Sequence, residues 1–391
     1  MKFKTVKLKE IGTIIGGGTP NTQNPEFYDG DINWITPKDL SEHKSRYISK
    51  GSRTITIKGL KSSSAKIVPR NTVLFSSRAP IGYVAIAESD LSTNQGFKNI
   101  IPNDNIHYLF LYYLLSYSKN YIEGFASGTT FKEISSSSLS NIEFKIPELI
   151  EDQIKISNLL GLIDSKIELN NKINDNLEKL LDYNFKFFFK NVFNIKKSKL
   201  DGAKISDLCS VLSGYNFKPS SYTKKGLYKV ITIKNVTETG LNLEKFNVIK
   251  QIPNNIQDFC ILKPQDILIT LTGNVGRTAI VFENNCVLNQ RVGKIKPHKE
   301  VYKPFLYCLF KSYPMRKKLE ELSNGSAQAN LSISSILNTR VDYDENVIEE
   351  FSILASKIIT KITLLNRETY LLKKIKNHLI PVLMNGQVTI E

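Results

Sequence analysis

Residue types that do covalent or metal chemistry are present in this chain, but not at working spacings. Gly12 to Thr19 reads glycine, four residues, two glycines and threonine. A phosphate-binding loop needs a lysine just before that threonine to reach the β- and γ-phosphates, and Gly18 stands there instead. Glu143-Phe144-Lys145 carries the carboxylate and lysine of a nuclease fragment. No well-placed upstream aspartate completes a metal cluster around it, so it reads as an alternating strand. Cys209, Cys260, Cys286 and Cys308 lack the close pairing of zinc sites, and His43, His107, His298 and His378 are equally scattered. No catalytic residue and no metal site is expected: the chain binds and positions, and others catalyse.

Binding chemistry is better represented. The formal net charge is +16 and the pI about 9.4, which points to a polyanion, nucleic acid ahead of an anionic membrane. A lysine-rich solvated surface is the alternative. Met1-Lys2-Phe3-Lys4 leads into no apolar run, and Tyr108 to Leu115 is too short to span a bilayer. With the unpaired cysteines, this places the chain in the cytoplasm. On DNA, phosphate contacts position a protein and base contacts specify the sequence. The phosphate candidates are Lys38, Arg78, Lys98, Lys132, Lys218, Lys234, Arg277 and Lys294. Side chains on predicted loops that can make paired hydrogen bonds in the major groove are Asn94, Gln95, Asn235, Asn274, Asn289, Gln290, Arg291 and Gln328. Thr36, Thr129 and Thr130 add single bonds or methyl contacts. Gly16 to Gly18, Gly128 and Gly325 either let backbone approach DNA or serve turns.

Two helical patterns must carry these loops. From about Glu148 to Lys190 the apolar residues keep a four–three step through Ile156, Leu160, Ile163 and Ile167, then Leu177 and Leu181, with Asn170 and Asn174 between. A parallel line passes through Leu159, Leu162, Leu169, Ile173 and Leu180. From about Asn346 to Ile380 the same step runs through Ile348, Phe351, Ala355, Ile358, Ile362, Leu365 and Leu372. These are seams of helices packed along other helices.

The segments before the two helices repeat one another. Leu8 to Ile15 and Ile205 to Leu212 are predicted as short helices, followed by Gly16-Gly17-Gly18 and by Ser213-Gly214. A strand turning into a loop covers Ile32 to Leu40, and Val230 to Val236 answers Trp34 to Leu40. Strand pairs flank Ser77-Arg78-Ala79-Pro80 and Gly273-Asn274-Val275-Gly276, and apolar helices cover Ile106 to Ile122 and Pro304 to Leu322. Gly82 and Gly276, Asn94 and Asn289, and Gly128 and Gly325 are 194, 195 and 197 residues apart. The fold class is therefore α+β. Two similar recognition domains of small sheets with helices, 1–147 and 196–345, are joined by two long helices, 148–195 and 346–391. An antiparallel coiled coil of the two helices relates the copies by a pseudo-twofold axis. Asn170 and Asn174 then fix its register at some cost in stability.

These residues resemble the DNA-specificity (S) subunit of type I restriction–modification enzymes over almost the whole length. The resemblance rests on Leu8-Lys9-Glu10-Ile11-Gly12, Gly17-Gly18-Thr19-Pro20, Trp34-Ile35-Thr36-Pro37-Lys38-Asp39 and Gly128-Thr129-Thr130. It rests most on Pro147 to Glu178, where Gln153, Ile154, Leu160, Ile163, Asp164, Ile167, Asn170 and Leu177 look like the spacer helix. The second copy departs from the pattern in lacking the tryptophan motif and the triple glycine. The resemblance implies a non-catalytic subunit that binds a bipartite, asymmetric double-stranded site. It would hold two methyltransferase subunits, and translocating restriction subunits would join that core. S-adenosylmethionine, ATP and magnesium would sit on those partners and none in this chain, in the bacterial cytoplasm at the nucleoid. Asn24-Pro25-Glu26-Phe27 resembles the adenine-methyltransferase tetrapeptide, but Glu26 stands where a proline is expected. The alternatives are the specificity subunit of a smaller system in which one chain cleaves and methylates (type IIB or IIG), a basic coiled-coil nucleic-acid scaffold without sequence specificity, and a cryptic enzyme.

A central helix of roughly 60 Å bounds the separation of half-sites at about 18 base pairs. Inserting four residues in phase near Asn170 lengthens it by about 6 Å, about two base pairs of DNA. The recognised half-sites should stay unchanged while the gap between them grows. Mapping the bound or methylated motif of the insertion variant checks this, and an unchanged gap refutes the helix as a ruler.

Overall fold

Ile150–Phe188 forms one unbroken helix of 39 residues and Glu345–Met384 another of 40. The first holds no proline, and the second carries Pro381 only in its final turn. The computed structural model describes residues 1–43, 45–128, 132–190, 203–323, 329–388 and 390. The chain divides into two compact units, Met1–Glu168 with Leu372–Glu391, and Leu169–Leu371. Each long helix contributes residues to both units.

In the first unit, Ile156 and Leu160 from the start of the central helix meet Leu383 and Met384 from the end of the C-terminal helix. All four join one core with Leu8, Ile11, Phe110, Leu111 and Phe144. The two chain ends are neighbours there: a Cβ on Gly386, whose φ is +69°, would fall 2.4 Å from the Phe3 ring. Lys376 Nζ donates to Asp164 Oδ1 and Tyr113 Oη to Asp164 Oδ2, both at 2.7 Å. In the second unit, Leu181, Phe185 and Phe189 pack with Ile348, Phe351, Phe305 and Phe310. The ring centroids of Phe189 lie 4.8 Å from Phe305 and 5.3 Å from Phe351.

The helices pair antiparallel, as expected. In the second unit Asn170 Nδ2 donates to Glu368 Oε2 at 2.8 Å and Asn174 Nδ2 to Asn366 Oδ1 at 2.9 Å, so partner numbers fall as helix numbers rise. Ile156, Leu160, Ile167, Asn170, Asn174, Leu181, Ile358, Ile362 and Leu365 are buried, and Ile163, Leu177 and Leu372 half-buried. The second predicted apolar line is corrected in part: Leu159 packs on the first core and Ile173 is half-buried, but the other three residues face outward. Leu162, Leu169 and Leu180 are 70%, 52% and 47% exposed. A two-helix pair buries one stripe, and Leu162 lies about 200° round the helix from Leu160, as Leu169 does from Ile167.

Each unit carries a two-sheet recognition domain. In the first, Gly12–Gly16, Phe97–Pro102, Val73–Ser76, Val84–Ala87 and Tyr47–Ile48 form one sheet, and Arg53–Ile55, Tyr28–Ile35, Leu91–Thr93 and Ile67–Val68 the other. In the second, Cys209–Ser213, Val292–Pro297, Ile267–Thr270 and Thr278–Ile280 answer the first sheet. Asn247–Ile249, Tyr228–Ile231, Cys286–Leu288 and Ile261–Leu262 answer the second. Short strands Phe3–Lys7 with Glu143–Pro147, and Ala203–Lys204 with Arg340–Val341, close each domain beside its long helix. The predicted helix at Leu8 to Ile15 is one turn, Leu8–Ile11, followed by strand Gly12–Gly16. At Ile205 to Leu212 a 3₁₀ turn, Ile205–Asp207, precedes strand Cys209–Ser213. Both strands are captured by the long strand of the sheet, Phe97–Pro102 or Val292–Pro297.

The Asn174–Asn366 pair predicts a thermodynamic cycle. Asn174→Leu alone leaves the Asn366 amide without its partner and costs about 1–3 kcal/mol, whereas changing both to leucine is near neutral or stabilising. Denaturant melts of the two single variants and the double variant measure it. Equal losses in single and double variants would show that the pair does not act as a unit.

Candidate nucleic-acid interface

In each domain three loops are laced by backbone bonds, and the lacing is the same in both. Ser77 N–H donates to Gly96 O and Ile134 N–H to Ser77 O; correspondingly, Leu271 N–H donates to Arg291 O and Leu331 N–H to Leu271 O. Ser76 Oγ donates to Pro80 O and accepts from Tyr83 N–H, and Thr270 Oγ1 does the same with Asn274 O and Arg277 N–H. Asn94 N–H meets Ile35 O as Asn289 N–H meets Ile231 O. Gly17 and Gly214 each pass where no side chain fits, a built Cβ falling 2.1 Å from Asn94 O and 2.5 Å from Asn289 O. Gly17 thus serves close packing inside the protein, as does Gly18 against Ala65.

The sequence motif around Trp34 resolves in the same way. Trp34 is buried and its Nε1 donates to Gly18 O at 3.0 Å. Thr36 then caps helix Pro37–Glu42 in a reciprocal box with Asp39, proline leading the first turn. Burial alone would raise the Asp39 carboxyl, but hydrogen bonds from Thr36 and Ser52 outweigh it and hold it below its ordinary value. In the second copy Val230 takes the buried place of Trp34, and Thr232 with Asn235 reproduces the threonine–aspartate box.

This bears on two recognition candidates. Asn235 is 2% exposed. Its Oδ1 accepts from Thr232 N–H and Oγ1, and its Nδ2 donates to Asn242 O and Lys245 O at 3.0 and 2.8 Å. Its amide braces a loop and presents no free edge, which corrects its reading as a base contact. Thr36 is similarly engaged, its hydroxyl donating to Asp39 Oδ2 at 2.6 Å.

The other candidates reach the surface. Lys38, Lys132, Lys218, Lys234, Gln95, Asn274, Gln290 and Arg291 are exposed, and Asn94 and Asn289 half-buried. Thr19 Oγ1 donates to Gln95 Oε1, and Asn94 Oδ1 accepts from Gly96 N–H in a tight turn. Gln290 and Arg291 line a cleft of about 510 Å³ with Ser213, Thr272 and Asn330. Thr129, Thr130, Gln328 and Gly325 lie outside the described residues.

Four cationic candidates are already paired. Arg78 and Lys98 both reach Glu133, at 3.4 and 3.8 Å, and Lys294 reaches Asp266 at 2.7 Å. Arg277 Nε donates to Glu238 Oε1 at 2.8 Å, and Arg316 NH2 donates to the same oxygen at 2.8 Å while its NH1 meets Glu238 Oε2. Arg316 Nε also reaches Glu320 at 3.4 Å. Burial alone would raise the Glu238 carboxyl, but hydrogen bonds from Arg316 and Arg277 outweigh it and hold it below its ordinary value. Sequence reasoning missed Glu133, Glu238 and Arg316. Glu238 and Arg316 lie 78 residues apart, so no local signal joins them.

The residues weighed for chemistry have structural places. Gly12 opens a strand, Asn24 caps the 3₁₀ turn Pro25–Phe27, and Glu143, Phe144 and Lys145 alternate out, in, out along theirs. All four cysteines are free and buried, and burial pushes the Cys209 and Cys286 thiols up to about 12. Among the described residues no cluster of three or more His, Cys, Asp or Glu could hold a metal, and no helix is long and apolar enough to cross a membrane.

Comparison with known proteins follows the repeat. The family model described as type I restriction modification DNA specificity domain matches residues 1–179 and 197–343. The type I restriction enzyme MjaIX specificity subunit of Methanocaldococcus jannaschii is 32% identical, covering 98% of this chain and 93% of that protein. The EcoR124I/EcoR124II specificity subunit of Escherichia coli is 30% identical over 46% of this chain and 45% of its own. The crystal structure of a type I restriction-modification system S subunit from M. genitalium superposes with a TM-score of 0.66 at 17% identity, covering 98% and 96% of the two chains.

Asn235 and Arg291 should separate in experiment. Asn235→Ala removes the loop brace and costs roughly 2–3 kcal/mol, with the sequence recognised by the folded fraction unchanged. Arg291→Ala leaves stability within about 0.5 kcal/mol but weakens or alters DNA recognition. Melting curves and binding-site selection on both variants read this; a changed motif for Asn235→Ala would restore it as a base contact.

Proposed function

Because the chain belongs to the type I restriction modification DNA specificity family and is the DNA-recognition subunit of such a system, we propose that each of its two domains reads one half of a split, asymmetric duplex site. One observation supports this reading above the rest: the same backbone lacing carries different side chains. Ser77, Arg78, Gly96, Lys132 and Glu133 in the first domain stand opposite Leu271, Thr272, Arg291, Ala329 and Asn330 in the second. One frame with two sets of side chains recognises two different half-sites, since base edges are distinguished by the donors and acceptors presented to them. Arg78, Lys98, Lys132, Lys218, Lys234, Arg277 and Lys294 serve phosphates in this reading, with Lys38. Asn94, Gln95, Asn274, Asn289, Gln290 and Arg291 serve bases.

The chain itself catalyses nothing in this reading and positions two methyltransferase subunits, with restriction subunits joining them. S-adenosylmethionine, ATP and magnesium belong to those partners. Support for helix-bound partners comes from the apolar residues left outside the seam. Leu162, Leu169 and Leu180 on the central helix, and Ile353, Leu364 and Ile375 on the C-terminal helix, are exposed. Exposed apolar rows of this kind mark protein contacts. The reading places the complex in the cytoplasm at the nucleoid. A system in which one chain cleaves and methylates would use the same recognition frame; purification of the native complex separates the two by the number of partner chains.

Genome-wide methylation mapping with the gene intact and deleted tests the proposal. Loss of one split, asymmetric adenine motif on deletion is expected. A methylome unchanged in a strain that expresses the complex would overturn the specificity role.

A further inference from the structure

Glu238 gathers two arginines from separate elements. Arg277 follows the Gly273–Gly276 turn, and Arg316 lies on helix Tyr313–Glu321. Arg316 grips the carboxylate with both terminal nitrogens while Arg277 shares one of its oxygens. Planar two-oxygen recognition of this kind suits a phosphate as well as a carboxylate. Glu238 is carried on a minimal hairpin, Val236–Thr237 paired with Gly240–Leu241, where Gly240 holds φ at +111°. Its side chain is 47% exposed, so the acceptor is accessible from solvent.

The first domain contains a related arrangement that duplication does not explain. There Glu133 bridges Arg78 and Lys98. By strand register and loop bonds, the counterparts of Arg78, Lys98 and Glu133 in the second domain are Thr272, Gly293 and Asn330. Residues at non-equivalent positions in the two copies therefore place one carboxylate between two cations beside the recognition loops. A pair needed only to hold the shared frame would recur at equivalent positions, as the Thr36–Asp39 and Thr232–Asn235 boxes do.

We propose that Glu238 is a stand-in for a DNA phosphate: in the free protein it holds Arg277 and Arg316 in the geometry of a backbone-phosphate site, and a phosphodiester displaces it on binding. This rests on the DNA-recognition reading above. The carboxylate keeps the two guanidiniums ordered and lowers their attraction for any passing duplex. A phosphate held in place by correctly docked loops replaces it, and the hairpin at 236–241 moves aside.

The test uses the full chain, in complex with its partner subunits, and a mixed-sequence duplex lacking the target motif, titrated at several potassium chloride concentrations. Glu238→Gln should bind this duplex roughly three- to tenfold more tightly. Glu321→Gln makes the same charge change at an exposed position on the helix of Arg316, and should shift affinity less than about twofold. On the motif-bearing duplex that the methylation mapping defines, Arg316→Gln should weaken binding and reduce the slope of log K against log salt by about 0.9, the loss of one phosphate contact. In that background Glu238→Gln should gain less than it does alone. Equal effects of Glu238→Gln and Glu321→Gln overturn the proposal. If Glu238→Gln melts early because its hairpin is lost, Arg316→Gln reads the site from the other side, and an unchanged salt slope overturns it. Wild-type complex that fails to bind duplex at all overturns the DNA-recognition reading and this proposal with it; wild-type binding with silent variants overturns this proposal alone.

Discussion

Neither recognition domain completes its hydrophobic core from its own sheets. The first needs Ile156 and Leu160 from the start of one long helix and Leu383 and Met384 from the end of the other. The second needs Leu181, Phe185 and Phe189 with Ile348 and Phe351. Burying a large apolar side chain contributes about 1.5–3 kcal/mol, so these helix residues hold each domain as much as they hold the helix pair. Helix and domain therefore cannot be exchanged independently, and the compact units cross the boundaries drawn from the sequence at residues 147 and 345.

Within the helix pair, apolar contact supplies attraction and polar residues supply register. Asn170 and Asn174 are 0% and 8% exposed, and each donates to one partner while its Oδ1 finds none. Leaving a buried acceptor unmet is costly, and sliding the helices would leave the donors unmet as well. Each domain also reaches the central helix through a tyrosine, with a different partner. Tyr113 donates to Asp164 and Tyr307 to Glu178. Burial, with the Asp164 charge beside Tyr113 and the Glu178 charge beside Tyr307, raises both phenols well above their ordinary value, so each remains a donor.

The recognition loops show how one frame serves two targets. Their lacing is mostly backbone to backbone, with Ser76 or Thr270 as the side chain common to both copies, and Ser77 adding its hydroxyl to Gly96 O in the first. Backbone bonds do not depend on residue type, so the tips can change without loss of the frame. Positions that cannot change are those where the frame itself comes too close, Gly17 and Gly214, or where a side chain replaces backbone, Asp39 and Asn235.

By itself the sequence determined the duplication, the two long helices and the seam, because helical periodicity and repeated order are local or one-dimensional signals. It also determined the family, through motifs that keep their order in both copies. Only the tertiary structure decided which apolar line is buried, since periodicity marks Leu160 and Leu162 alike while a two-helix contact covers one arc. Capture by the neighbouring long strand turned Leu8–Ile15 from the expected helix into one turn and a strand. Tertiary structure also decided the fate of the polar candidates. Asn235 and Gln290 are both loop amides in sequence, yet loop closure over Asn242 and Lys245 buries the first and leaves the second in solvent. The pairing of Glu238 with Arg277 and Arg316 joins residues far apart in the chain, and nothing shorter than the fold brings them together.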